Sequence, residues 1–292
     1  HDATLLRHLG PVEREGRVRA RPRDGRRTPP QPVPQDRHGH SAQDQQEHQP
    51  LAVKALQSGR QRFERLECSL DPLSGPLSLG VIYTIGPYLL PDLVRQAIER
   101  VPQMPLVLQE NFTAKLLELL RSGELDSAIM AEPFPDTGLA IAPLYDEPFM
   151  VALPKSHPLA KRKAISADEL KQEKMLLLGT GHCFRDHVLE VCPEYAQFSS
   201  ADAEGIRKTF EGSSLETIKY MVASGMGVTV VPQLSVPDEE QAHIAYVPFT
   251  KPVPTRRVVL AWRRSFTRYE AIAALRNAIY ACELKGVKRL TA

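Results

Sequence analysis

The 292 residues are 42% hydrophobic and 25% charged, with 37 basic against 35 acidic side chains and a net charge of +2. No stretch reaches the roughly 18 apolar residues that a membrane-spanning helix needs, and no basic-then-apolar leader opens the sequence. Four cysteines are too few for a disulfide-stapled secreted scaffold, so a soluble cytoplasmic protein is expected, with two compact units, or one and a tail, at roughly 100–200 residues per domain.

The charge is unevenly placed. Residues 1–40 hold nine arginines, no lysine and five acids, a net of +4, so the remainder carries −2. Between Pro11 and Pro50 the hydrophobic set is reduced to Val12, Val18, Ala20, Val33 and Ala42. That is too little apolar area to offset an ordering entropy of about 1–2 kcal/mol per residue. Residues 1–70 are therefore expected to be disordered or irregular, with a short helix over residues 51–70 weakened at Ser58-Gly59. The alternative, a basic arm on nucleic acid, lacks interleaved aromatic residues and a periodic face.

From Leu77 strands and helices alternate. Residues 77–83 read as a strand ending at Thr84-Ile85-Gly86-Pro87. Leu90, Leu93, Val94, Ala97, Ile98 and Val101 have helical spacing. Residues 105–110 read as a second strand. Residues 113–121 form a helix, with Thr113 placed to cap its start and Gly123 its end. Residues 126–130 are a third strand, and the βαβ pattern predicts a largely parallel sheet. A second series starts with a strand at residues 149–153. Ser166-Ala167-Asp168-Glu169 and Ser213-Ser214-Leu215-Glu216 read as capping boxes, each opening a helix. Strands follow at residues 175–178, 227–231 and 257–262, and Ile272, Leu275, Ile279 and Cys282 mark a final helix. The expected fold is α/β, with two Rossmann-like lobes around a cleft: residues 77–148 plus 252–285, and residues 149–251.

Two motifs carry a resemblance. The run from Leu116 to Ile129, Leu-Leu-Glu-Leu-Leu-Arg-Ser-Gly-Glu-Leu-Asp-Ser-Ala-Ile, is similar to the helix–Gly–Leu-Asp–strand signature of LysR-type effector domains, which have a periplasmic-binding-protein-like fold. Gly181-His182-Cys183-Phe184-Arg185-Asp186 with Cys192, the stretch from Gly80 to Pro91, and Ser214-Leu215-Glu216-Thr217 resemble the peroxide-sensing branch of that family. The likeness runs from about Asp71 to the C-terminus and is weakest between Cys192 and Ser213. It implies an activator of antioxidant genes switched by a reversible Cys183–Cys192 disulfide. Its implied partners are hydrogen peroxide, promoter DNA, a cellular thiol reductant and further copies of the chain in a homodimer or homotetramer, with no cofactor or metal. It also implies a winged helix-turn-helix near the N-terminus. Residues 1–68 show no such pattern, and their Arg/Pro/Gln/His excess is what an out-of-frame reading of a GC-rich gene would produce.

The residues themselves support the chemistry. A thiol reduces peroxide only as its thiolate. Cys183 follows a Gly179-Thr180-Gly181 turn at an expected helix start, where unpaired N–H groups favour negative charge. His182 and Arg185 bring donors or positive charge, and Asp186 fits the orienting of a donor. The resemblance adds to the peroxide pocket a threonine after the first strand and an arginine on the late strand, which fall on Thr84 and Arg257; Thr113 is a further hydroxyl candidate. Were residues 183–192 helical, a rise of about 1.5 Å per residue would set the two Cα atoms roughly 13 Å apart, whereas a disulfide needs about 7 Å or less. The helix must then unwind before the bond can close. Zinc ligation by His182, Cys183, His187 and Cys192 is the metal alternative, but it lacks a Cys-x-x-Cys pair. A domain for a small organic effector and a thiol peroxidase are the other two readings. Cys282 is expected to pack, and Cys68 to do nothing specific.

Overall fold

The computed structural model describes residues 71–135, 138–199, 209–212 and 214–290. The expectations for residues 1–70, including the short helix and Cys68, lie outside them.

Strand β1 (Leu77–Ile82) is the parallel neighbour of both β2 (Leu106–Asn111) and β3 (Ser127–Ala131). Helices α1 (Gly86–Arg100) and α2 (Thr113–Ser122) make the crossovers. The apolar spacing on α1 buries Leu89, Leu93 and Ala97, and Leu116, Leu117, Leu119 and Leu120 do the same on α2. Gly123 ends α2 at φ 85°, the left-handed conformation that glycine adopts at least cost. Thr113 is not the cap: the helix begins at Thr113, and Phe112 precedes it without a side-chain hydrogen bond.

The sheet is mixed, not largely parallel. Its order is β10-β4-β9-β3-β1-β2, with β4 (Leu139–Pro154), β9 (Thr255–Arg263) and β10 (Lys288–Arg289) all in antiparallel pairs. The 16 residues of β4 pair with β9 along residues 139–148. Further on, they pair with β7 (Thr229–Pro232) and β8 (Ile244–Pro248) along residues 149–154. Strands β5 (Met175–Leu178) and β6 (Thr209–Gly212) form a separate parallel pair.

Two hydrophobic cores result. The first draws on residues 77–145 and 258–284, the second on residues 149–249. Strand β4 feeds both, giving Leu139, Leu144 and Tyr145 to the first and Phe149, Val151, Ala152 and Leu153 to the second. Helix α3 (Ala167–Leu170) starts with a complete capping box at Ser166 and Glu169. The second expected box does not form. Ser214 caps α5 (Leu215–Ala223) by accepting from the Thr217 amide, and Glu216 turns away to Tyr88 and Lys219. Helix α6 (Tyr269–Ala281) packs Ile272, Leu275 and Ile279 into the first core, and Cys282, just past its end, is buried there too. No helix among the described residues is long and apolar enough to cross a membrane.

Candidate functional site

Helix α4 (Cys183–Val191) connects the two cores. Phe184 and Val188, one turn apart on its inner face, belong to the second core, while Cys183 at its start packs against the first. Gly181, at φ 96°, and His182 lead into it. Cys183 is the first helical residue, where backbone N–H groups lack helical acceptors and favour negative charge. Its side chain is partly exposed.

A cavity of about 10 Å³ lies against Cys183, lined by Ile82, Tyr83, Thr84, Asn111, Phe112, Thr113, Gly181 and His182. These residues come from the carboxyl ends of β1 and β2 and from the start of α4, the place where crevices open in such sheets. A volume of that order admits about one water-sized molecule. Two hydroxyls line it. Thr113 Oγ1 is buried with no hydrogen-bond partner. Thr84 Oγ1 accepts from Arg256 at 2.8 Å, so its own proton remains for another acceptor.

Arg256 fixes this corner. It is 2% exposed and donates to Glu147 Oε2 at 2.8 Å and to the Thr84 carbonyl at 3.0 Å. Its guanidinium carbon also stands 5.0 Å from the centre of the Phe184 ring. Glu147, fully buried, accepts from the Leu234 amide as well. Arg257, the arginine singled out in the sequence, points the other way. Alternation along β9 puts it on the exposed face, bonded to Asp146 at 2.9 Å. Arg256 thus stands behind the cavity, holding Thr84, while Arg257 lies away from it; the apolar run Val258–Ala261, buried on both faces, hides in the sequence the alternation that separates the two arginines.

The other candidates divide. His182 lines the cavity, with its ring edge-on to Phe112 at 4.8 Å and to Tyr83 at 5.9 Å. Arg185 is buried and donates to the Leu178 carbonyl at 2.9 Å, tying the first turn of α4 to the end of β5. Asp186 is exposed. His187 bonds through Nε2 to the Glu132 carbonyl at 2.8 Å, and burial holds its imidazole below the usual histidine range.

Cys192 stands at the far end of α4. Its backbone N–H still bonds to Val188, but its φ of −127° has left the helix, and Pro193 opens the following 3-10 turn. The thiol is fully buried in the second core, and burial, with the Glu194 charge adding, pushes it up to about 12. Both cysteines are free thiols. Nine residues of helix put their Cα atoms roughly 13 Å apart at about 1.5 Å per residue. The helix likewise keeps Cys192 from Cys183 and His182, so the four zinc candidates do not converge, and no cluster suited to a metal occurs among the described residues.

The LysR substrate binding domain family matches residues 70–281. A hydrogen peroxide-inducible genes activator of Pectobacterium carotovorum subsp. carotovorum is 39% identical over 207 residues, covering 70% of this chain. The chain spans 66% of that relative's length, just under two thirds. The reduced OxyR regulatory domain of Pseudomonas aeruginosa is similar at 46% identity and a TM-score of 0.64, covering 72% of this chain and all of that one. A hydrogen-peroxide-bound cysteine-to-serine mutant of Corynebacterium glutamicum OxyR has 30% identity and a TM-score of 0.69, covering 79% of this chain and 74% of that one.

Proposed function

Because the chain belongs to the LysR substrate-binding-domain family, we propose that it is the peroxide-sensing part of a transcriptional activator, switched by a reversible Cys183–Cys192 disulfide. One observation carries this reading: Cys183 faces a cavity of about 10 Å³ bounded by the hydroxyls of Thr84 and Thr113. That size suits a solute of water's order, such as a small peroxide, better than an organic effector. The Cys183 thiolate attacks one peroxide oxygen, and the O–O bond breaks. The sulfur becomes a sulfenic acid, and the departing hydroxide takes up a proton to leave as water. The two threonine hydroxyls hold the peroxide oxygens, with Arg256 orienting Thr84. His182 walls the site, while Arg185 and Asp186 set the charge around the first turn of α4.

The second step needs α4 to unwind. Cys192 then attacks the sulfenic sulfur, a second water leaves, and the disulfide forms. The balance is two thiols and one peroxide giving one disulfide and two waters. A cellular dithiol restores the pair, so the protein is a switch that consumes peroxide stoichiometrically, not a turnover enzyme. Residues 77–148 with 252–285, and residues 149–251, serve as the two lobes whose relation the bond alters. In the intact regulator, working in the cytoplasm as a homodimer or homotetramer, that change passes to promoter DNA.

A second reading has its own observation. A larger cavity of about 370 Å³, lined in part by Tyr88, Glu110 and Glu216, adjoins the first and has the size of a small organic ligand's site. Mass spectrometry before and after a brief low dose of peroxide separates the two. Loss of two hydrogens, localised to Cys183 and Cys192, supports the sensor. An unchanged mass overturns it in favour of the effector domain, and rapid multiple turnover with a dithiol makes the protein a peroxidase.

A further inference from the structure

The two cavities beside Cys183 share four lining residues: Tyr83, Thr84, Phe112 and His182. Three of these are rings in mutual edge contact. Tyr83 and Phe112 lie 5.2 Å apart at 74°, and Phe112 and His182 lie 4.8 Å apart at 73°. Such geometry is favourable between aromatic rings and holds them as a unit. Thr84 is fixed by Arg256, so the rings are the part of the partition whose size side-chain chemistry sets.

We infer that the Tyr83–Phe112–His182 wall determines which peroxides reach Cys183, admitting hydrogen peroxide and keeping organic hydroperoxides in the larger cavity. The inference deepens the proposed sensor and rests on it. Phe112 is its central element. It touches both neighbouring rings, and its ring packs where Gly181 has no side chain: a Cβ on Gly181 would come within 3.3 Å of Phe112 Cδ1. Phe112 and Tyr83 are 37% and 40% exposed at the mouth, so neither is a core residue whose loss collapses the fold. On the far side, the cavity of about 370 Å³ has space for the hydrocarbon part of a hydroperoxide. With the wall in place, only the small cavity's contents can meet the sulfur. With Phe112 cut back, the two spaces merge, and the peroxide end of a bulky molecule reaches Cys183 while its organic end stays in the larger space. The chemistry is the same in kind: the thiolate takes the terminal oxygen, the O–O bond breaks, and the alkoxide leaves and is protonated to the alcohol.

The test compares hydrogen peroxide with cumene hydroperoxide. The rate of Cys183 oxidation is read by timed alkylation and mass spectrometry in the full chain, its Phe112→Ala, Phe112→Leu and Phe112→Trp forms, and Tyr83→Ala. The readout is the ratio of the two rate constants, cumene over hydrogen peroxide, which cancels general changes in the sulfur's reactivity. Size discrimination by an apolar wall is of order tenfold to a hundredfold. The ratio should therefore rise at least about tenfold in Phe112→Ala, less in Phe112→Leu, and fall below the parent in Phe112→Trp. A ratio unchanged in both Phe112→Ala and Tyr83→Ala overturns the inference while leaving the sensor intact. A parent protein whose Cys183 ignores hydrogen peroxide takes down the sensor and the wall together.

Discussion

Cys183 and Cys192 close the two ends of one nine-residue helix, yet their surroundings are opposite. The first is partly exposed, opens the helix and faces a cavity bounded by the Thr84 and Thr113 hydroxyls. The second is fully buried among Phe184, Val188, Tyr195 and the leucines of β5, with its thiol pushed up to about 12. The difference separates two tasks. In the proposed sensor, a sulfur that must meet peroxide needs access and a site for negative charge, whereas a sulfur that must respond only afterwards is kept inert by burial. In that proposal the helix between them sets the order of events, since no bond can form across roughly 13 Å.

The strongest way to break this contrast is to remove one sulfur at a time. Cys183→Ser should show no peroxide-dependent mass change at Cys192, and Cys192→Ser should gain a single oxygen at Cys183. Oxidation of Cys192 in the absence of Cys183 would show that burial does not protect it. Native alkylation sharpens the same point at pH 8. Cys183 should label at least about tenfold faster than Cys192, because a thiol reacts only as its thiolate, and urea should abolish the difference. The support behind the pocket comes next. Arg256→Ala strands the buried Glu147 carboxylate and should cost about 3–5 kcal/mol in urea unfolding, whereas Arg257→Ala should leave the midpoint where it is.

A smaller effect belongs to the middle of the helix. Burial depresses the His187 imidazole relative to its ordinary value of 6.5, so the unfolded chain takes up this proton first as pH falls. Stability should be flat above pH 6.5 and decline below it, toward the depressed folded value. His187→Gln should remove that part of the decline, as urea titrations at several pH values would reveal. The smallest is a control in the second core. Ser166→Ala removes a helix cap far from the cavity and should cost about 1 kcal/mol without altering the rate of Cys183 oxidation.

Much of the fold was legible where local pattern and burial agree. The βαβ start, the helix around Leu116–Leu120 and the Ser166 capping box all rest on interactions within a few residues, and β5 was a short apolar run between turns. What the sequence hid depends on distant partners. The first half of β4 carries Pro143 and Pro148, which argue against a strand, and it forms because β9 runs alongside it. Ser214 caps that helix, and Glu216, expected in a capping box, finds Tyr88 and Lys219 instead, the first of them a residue no local rule connects to it. At the site, Cys183, His182, Thr84 and Thr113 could be named from the motif and the resemblance. That Arg256 and not Arg257 would reach Thr84 was not legible, since neighbouring arginines are identical in composition and differ only in the face on which the strand places them. Glu147, its buried partner, gave no signal at all.

The eight-stranded sheet has one more consequence. None of its ladder pairs involves α4 or the Pro193 turn, and β5 with β6 meets it only through the single bridge of Met175 to Val228. Were the helix to let go, as proposed, the backbone that reorganises would be distinct from the ladders that hold both cores along β4. In the proposed switch, each reduction would then return the segment to a frame that the oxidation had left in place.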